Sequence, residues 1–233
     1  LEGKVEQLVL VNCCDSMRRV YDIVESTGKC KFLYMLDMPH EDNDCEKVKL
    51  AQGIYRLKKA YEKFSGKTFD RSGFLNAFSH EPVDNQPYIG VLGVRVSGIL
   101  EKMIRDNIRM DVEDLTCTGG RRLAVIREEL EKMEDDAMFL AYADALLSQM
   151  PCFRMNNSTR RNRLYLDPNL KGIIYHTIKF CDYYGFEYAS IKRDIKVPLL
   201  KIETDFTSQS AGQLLTRVQA FVETLEGSEG MDP

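Results

Sequence analysis

Short runs made wholly of apolar residues alternate along this chain with longer stretches in which apolar residues recur every three or four positions. Leu8-Val9-Leu10-Val11 and Tyr88-Ile89-Gly90-Val91-Leu92-Gly93 are continuous and of strand length, the pattern of parallel strands covered on both faces. Each is followed by a helical pattern: Met17, Val20, Tyr21 and Val24 after the first, and Ile99, Leu100, Met103 and Ile104 after the second. Further strands are expected at 31–36, 110–115, 172–178 and 197–203. Helices are expected at 16–25, from 44 onward with Val48, Ala51, Ile54, Tyr55 and Leu57 toward a core, and at 71–79, 122–134, 137–150 and 211–225. This alternation predicts an α/β chain of parallel sheets with helices on both faces. Residues 80–87, with Pro82, Pro87 and few apolar side chains, make the best linker, so two α/β domains are expected, 1–84 and 85–233.

The cysteines are placed against this pattern in a telling way. Cys13-Cys14, Cys117 and Cys181 each follow an expected strand, and Cys152 follows a helix stopped by Pro151. Ligands of open parallel sheets bind outside the carboxyl ends of the strands. A thiol in a strand-to-helix turn is also favoured as thiolate by free N–H groups and the helix dipole. The seven cysteines are an odd number, and residues 1–20 carry Glu2, Lys4, Glu6, Asp15, Arg18 and Arg19 rather than a secretory signal. Metal ligation, redox chemistry or buried thiols are therefore expected in place of a disulfide scaffold. Adjacent cysteines do not easily chelate one metal atom, but they suit two iron atoms or two neighbouring clusters. Cys30 and Cys45 close no expected strand and are read as core or surface thiols.

Net charge is −4 and the isoelectric point near 5.6, which favours neither a nucleic-acid backbone nor an anionic membrane as partner. No apolar run approaches the roughly 20 residues of a membrane helix, and a cytoplasmic protein is expected. The chain opens on Leu1-Glu2-Gly3 without a methionine, just ahead of a core strand, so it is expected to begin inside a larger protein.

Other polar residues carry a functional and a bland reading side by side. Asp15 and Ser16 are good helix N-caps and, near the cysteines, Ser16 is also a candidate for catalysis. Glu203 and Asp205 end a strand where a carboxylate could move protons or cap the last helix. Thr118-Gly119-Gly120 reads as a simple turn or an anion cradle. Arg18, Arg19, Arg121 and Arg122 are solvated or contact a phosphate or a partner. His176 lies within a strand and is expected to be a satisfied core histidine.

The chain resembles the 2-hydroxyacyl-CoA dehydratase and benzoyl-CoA reductase superfamily of oxygen-sensitive iron-sulfur proteins. The resemblance runs through Asn12-Cys13-Cys14-Asp15-Ser16-Met17-Arg18-Arg19, Asp114-Leu115-Thr116-Cys117-Thr118-Gly119, Lys179-Phe180-Cys181-Asp182, Ile202-Glu203-Thr204-Asp205-Phe206-Thr207 and Gly212-Gln213-Leu214-Leu215-Thr216-Arg217. It implies two Rossmann-like domains with an iron-sulfur cluster in the cleft between them, Cys14 and Cys181 as ligands, and a further ligand in a segment before Leu1. The doubled Cys13-Cys14, with Cys117 and Cys152, resembles the branch that carries a double-cubane 8Fe-9S cluster. Those four, Cys181 and one upstream cysteine would supply three thiolates to each cubane.

The resemblance further implies an ATP-hydrolysing iron-sulfur activator protein that injects low-potential electrons, and a homodimer or a heterodimer with a related subunit. In the double-cubane branch those electrons reduce small molecules. In the dehydratases, a single 4Fe-4S cluster passes one electron to an acyl-CoA, which eliminates water through a ketyl radical. The third reading is a non-catalytic partner subunit without a competent cluster. An anaerobic source is implied throughout.

Overall fold

The structure, a computed structural model, describes residues 5–77, 86–117, 119, 127–149, 152, 154–155, 161–179, 181–205 and 211–229. It is a mixed α/β chain in two compact units, Leu1–Glu81 with Arg122–Asn157 and Pro82–Arg121 with Ser158–Pro233. The first break falls a few residues before the expected boundary at 84. Residues 122–157, expected in the second domain, instead belong to the first unit.

The first unit opens with strand β1 (Gln7–Val11), helix α1 (Asp15–Thr27) and strand β2 (Phe32–Leu36), and the two strands pair in parallel from Gln7 opposite Phe32 to Val11 opposite Leu36. Of the run 8–11 only Leu10 is buried, and Val9 is 43% exposed. Burial on both faces was expected there, but among the described residues β1 has one neighbouring strand and no helix covers it fully.

Helices α2 (Asp44–Ser65) and α3 (Arg71–Asn76) follow, capped by the side chains of Asn43 and Asp70, which accept from Glu46 N and Gly73 N. After the second unit's first strands the chain supplies α5 (Arg127–Glu131) and α6 (Asp135–Ser148). The expected helix at 122–134 is described only from 127. Helix α6 is apolar nearly all round, with Met138, Phe139, Ala143, Ala145 and Leu147 buried. Such a helix needs cover on several sides, and α2, α3 and the loop between them give it through Leu50, Ala51, Leu75 and the rings of Phe69 and Phe74.

Arg71 fastens the same contact by pairing with Asp135 at 2.7 Å and donating to the carbonyls of Leu130 and Met133. These interactions are the physical reason why 122–157 return to the first unit. The core face of α2 is therefore Leu50, Ala51 and Ile54, while Val48 and Tyr55, expected inside, are exposed.

The second unit is a four-stranded, all-parallel sheet of β3 (Tyr88–Gly93), β4 (Asp111–Asp114), β5 (Leu170–Ile178) and β6 (Leu199–Thr204), in the order β4-β3-β5-β6. Strands β3 and β5 are buried along almost their whole length, as suits central strands of a parallel sheet. Helices α4 (Gly98–Asn107) and α9 (Ala211–Glu229) cover one face, where Leu100, Ile104, Val218, Phe221 and Leu225 meet Ile89, Val91, Ile174 and Ile202. Each such side chain, fully buried, contributes roughly 1.5–3 kcal/mol.

Helix α8 (Asp182–Ile191) covers the other face, and a short α7 (Asn162–Tyr165) precedes β5. Neither was expected. Most of the proposed linker, 80–85, lies outside the described residues. Among the described residues no helix is long and apolar enough to cross a membrane.

Candidate functional site

The two ends of the doubled cysteine are fixed by backbone. Cys13 N donates to Val11 O at 2.8 Å, a tight turn directly after β1. Cys14 is the N-cap of α1, with extended φ and ψ of −161° and 168° and a carbonyl that accepts from Met17 N and Arg18 N. The cap thus falls one residue before the expected Asp15 and Ser16. Cys14 makes no side-chain capping bond, so its thiol is not engaged in holding the helix end. Asn12 ties this turn to the loop after β2: its side-chain carbonyl accepts from Met38 N at 2.8 Å and its amide donates to Asp37.

Cys152 and Arg154 come to the same place from the loop after α6. Met155 N donates to Cys152 O at 2.9 Å, which turns the chain, and Arg154 is buried with 6% of its surface exposed. Its Nη2 donates to Met38 O at 2.9 Å and Pro39 O at 3.0 Å, while Nη1 is buried without a hydrogen-bond partner.

The thiols feel one another. Burial first, then the charge and hydrogen bond of Cys14 and the charge of Cys152, push Cys13 up to about 11, against the opposing pull of Arg154. With a pKa this high Cys13 is protonated near neutral pH, and a metal that binds it must displace that proton. Cys13, Cys14 and Cys152 are thus neighbours in the first unit.

In the second unit Cys117 and Cys181 stand at the carboxyl edge of the sheet, just past the ends of β4 and β5, the strands that flank β3. Cys117 N donates to Gly93 O at 2.9 Å, and Gly119 N closes the following turn on Thr116 O at 3.1 Å. Asp114 Oδ1 accepts from both Thr116 N and Oγ1, at 3.0 and 2.6 Å. Gly119 sits so close that a Cβ would lie 2.2 Å from Asp114 O. The expected Thr118-Gly119-Gly120 feature is described at Gly119 alone, where it is part of this turn.

Gly93 has φ +91°, and a Cβ there would meet His176 O at 2.1 Å. Only glycine allows β3 to end against β5, at the point where the strand order reverses and ligands of such sheets bind. His176 is fully buried there, with Nδ1 2.8 Å from Val94 O and Nε2 2.8 Å from Thr204 Oγ1. Burial holds its pKa below the usual histidine range, so it is the satisfied core histidine that was expected.

Cys181 repeats the local design of Cys14. It follows a strand, serves as N-cap of α8 and makes no side-chain capping bond. What holds α8, and Cys181 with it, is a buried cluster absent from the expectations. Glu187 of α8 accepts from Arg161 Nε and Nη2, Tyr165 Oη and Tyr175 Oη, and the Arg161 and Glu187 side chains are each only 2% exposed. Burial and the Glu187 charge drive both tyrosines well above their ordinary range.

The remaining expected residues are dispersed. Ser16 is exposed on the first turn of α1. Glu203 lies on β6 beside Lys201, at 3.3 Å, and Asp205 lies just past that strand's end, 3.6 Å from Lys179. Arg18 and Arg19 pair along α1 with Asp15 and Asp22 at 3.5 and 2.8 Å, and Arg121 and Arg122 lie outside the described residues. Cys30 donates weakly to Val5 O at 3.8 Å and Cys45 is exposed.

Among the described residues no three His, Cys, Asp or Glu side chains close on a point where a single ion would sit. Thiolates around a cubane cluster each serve a different iron atom, so they ring a volume instead. The half-buried thiols and the orphaned cationic Nη1 fit such an anionic group better than one ion.

Residues 77–225 match the family described as 2-hydroxyglutaryl-CoA dehydratase, D-component. The chain is 28% identical over 153 residues to YjiM of Escherichia coli (strain K12), provisionally assigned as a dehydratase subunit, a match covering 61% of this chain and 39% of that protein. It is 40% identical over 57 residues to the beta subunit of (R)-phenyllactyl-CoA dehydratase from Clostridium sporogenes, covering 23% of this chain and 15% of that one. The matched part thus spans well under half the length of either relative.

Proposed function

Because the chain belongs to the family of the 2-hydroxyglutaryl-CoA dehydratase D-component, we propose that it is the cluster-holding component of an activator-driven reductase or dehydratase. The observation that carries the proposal is that Cys14, Cys152 and the buried Arg154, whose Nη1 has no hydrogen-bond partner among the described residues, all act electrostatically on Cys13. Cys14 and Cys181, each on an N-cap that its thiol does not use, would be ligands from the two units. The reading requires both to serve the same cofactor, in a chain of two Rossmann-like domains. Cys13, Cys117 and Cys152 would extend the set from that of a 4Fe-4S cluster to that of a double-cubane 8Fe-9S cluster. The grouping of Cys13 and Cys152 with Cys14 supports the larger one.

When bound, the cluster supplies single electrons at low potential. The chain's own residues hold the thiolates, exclude water and set the surrounding charge. Of the three candidates for moving a proton, Asp205 is the one placed beyond a strand's carboxyl end, 3.6 Å from Lys179. Glu203, still within β6 and paired with Lys201, and Ser16, on the first turn of α1, are both exposed to solvent. The proposal includes an ATP-hydrolysing iron-sulfur activator as electron donor, an acyl-CoA or small molecule as acceptor, and a homodimer or a heterodimer with a related subunit.

The test is to load the protein anaerobically with iron and sulfide and count the iron. About eight irons per chain support the double cubane and about four the dehydratase cluster. Cys14→Ala and Cys181→Ala are each expected to lose iron and the visible absorption, with Cys30→Ala as the unaffected control. Unchanged iron content and spectrum in both variants would refute the assignment.

A further inference from the structure

Arg154 is an expensive residue to bury. Its guanidinium is held by two backbone carbonyls, Met38 O and Pro39 O, both through Nη2, and no carboxylate among the described residues pairs with it. A charge taken out of water without a counter-ion is strongly unfavourable, and Nη1 has neither water access nor a partner. The two carbonyls carry only partial negative charge. They orient the group by fixing it to the loop after β2, leaving one edge of the guanidinium unsatisfied. The same loop holds the cysteine turn, since Met38, whose carbonyl accepts from Arg154, donates its N–H to Asn12 Oδ1 at 2.8 Å, one residue before Cys13. His40 Nδ1, 3.3 Å from Arg154 O, ties the backbone of Arg154 to that same loop. The side chain is thus braced at both ends and short of one anion.

We propose that Arg154 is a positioning residue that donates a hydrogen bond from Nη1 to the anionic cluster-and-thiolate assembly held by Cys13, Cys14 and Cys152, and so raises its reduction potential. This inference rests on the cluster reading above. Each added electron makes such an assembly more negative, so a fixed cation favours the reduced state, and hydrogen bonds to the sulfurs act in the same direction. Arg154 would serve as the brake that keeps a thiolate-rich site within reach of its electron donor.

The experiment compares wild type, Arg154→Gln and Arg154→Lys, loaded anaerobically, by iron content, far-UV circular dichroism and midpoint potential from a spectroscopically monitored redox titration. Arg154→Gln is expected to keep its iron and shift the one-electron equilibrium about tenfold toward the oxidised form, about 59 mV more negative. Arg154→Lys, which retains the charge but not the fork, should shift less. If Arg154→Gln loses iron while folded and Arg154→Lys regains it, the positive charge is needed for holding the cluster, which also supports the proposal. A potential in Arg154→Gln within a twofold change of the wild-type equilibrium overturns it. So does loss of iron in both variants while wild type loads, because Arg154 would then only shape the loop. Failure of wild type itself to take up iron would instead sink the cluster reading, and this inference with it.

Discussion

Glu187→Gln tests whether the buried cluster under β5 is what holds Cys181 in place. The carboxylate accepts four hydrogen bonds, two on each oxygen: Arg161 Nε and Tyr165 Oη on Oε1, and Arg161 Nη2 and Tyr175 Oη on Oε2. A glutamine keeps the shape but turns one oxygen into an NH2 group, so a donor faces donors and Arg161 loses its counter-charge. With both side chains 2% exposed, solvent gives little relief. Removing one partner of a buried pair costs about 3–5 kcal/mol, or roughly two to four powers of ten in the unfolding equilibrium.

The chain has no tryptophan, so urea unfolding is followed by tyrosine fluorescence, with far-UV circular dichroism as a second probe. At typical denaturant slopes the midpoint of the second unit's transition should fall by about 1–2 M. The paired replacement Arg161→Met with Glu187→Leu removes both charges and should recover most of the loss. A single variant within about 0.5 kcal/mol of wild type, or a double variant no better than the single, would refute the assignment of this pair as a structural clamp.

Gly93→Ala should destabilise the second unit by at least about 3 kcal/mol, because a side chain at φ +91° is strained and its Cβ would overlap His176 O; a thermal melt unchanged from wild type would contradict this. His176 predicts a pH dependence of defined sign. Its folded pKa lies below the unfolded value of about 6.5, so its share of stability is complete above that pH and is lost as pH falls through the folded value. Melts at pH 7.5 and pH 5 should show His176→Gln losing less stability over this interval than wild type, and an equal loss would count against a buried neutral histidine.

Those elements were legible in sequence whose own residues decide their fate. Tyr88–Gly93 was bounded to the residue because its apolar run is closed by Pro87 before it and by Gly93 at its end, and a central parallel strand buries all of it. The stripe of Val218, Phe221 and Leu225 marked α9 equally well. Helix α8 was not legible: its stretch is rich in aromatics, contains Gly185 and carries a glutamate that reads as solvent-facing until Arg161, Tyr165 and Tyr175 are brought to it. The return of α6 to the first unit was hidden for a related reason, since an apolar helix states that it must be covered but not by which partner.

In the candidate site, the placing of Cys14 and Cys181 after strands was readable, because the alternation locates strand ends. Arg154 was not. A lone arginine after Pro151-Cys152 gives no local sign that it is buried, and its meaning arises from carbonyls more than a hundred residues away.

The interleaving of the two units constrains how the protein can be made. Synthesised from its amino end, the chain exposes β1, α1 and α2 early, but α6, which covers α2, and the loop bearing Cys152 emerge only after β3 and β4. Strand β3 in turn waits for β5, its longest-paired neighbour, some eighty positions later. Contacts this distant close slowly, and domains generally complete as units during translation. Cys13 and Cys14 therefore spend the interval as unpaired thiols on a half-built surface. On the cluster reading proposed above, loading follows the emergence of Cys152, and the ribosome-bound intermediate, more than the finished protein, is the species that oxidation would harvest first.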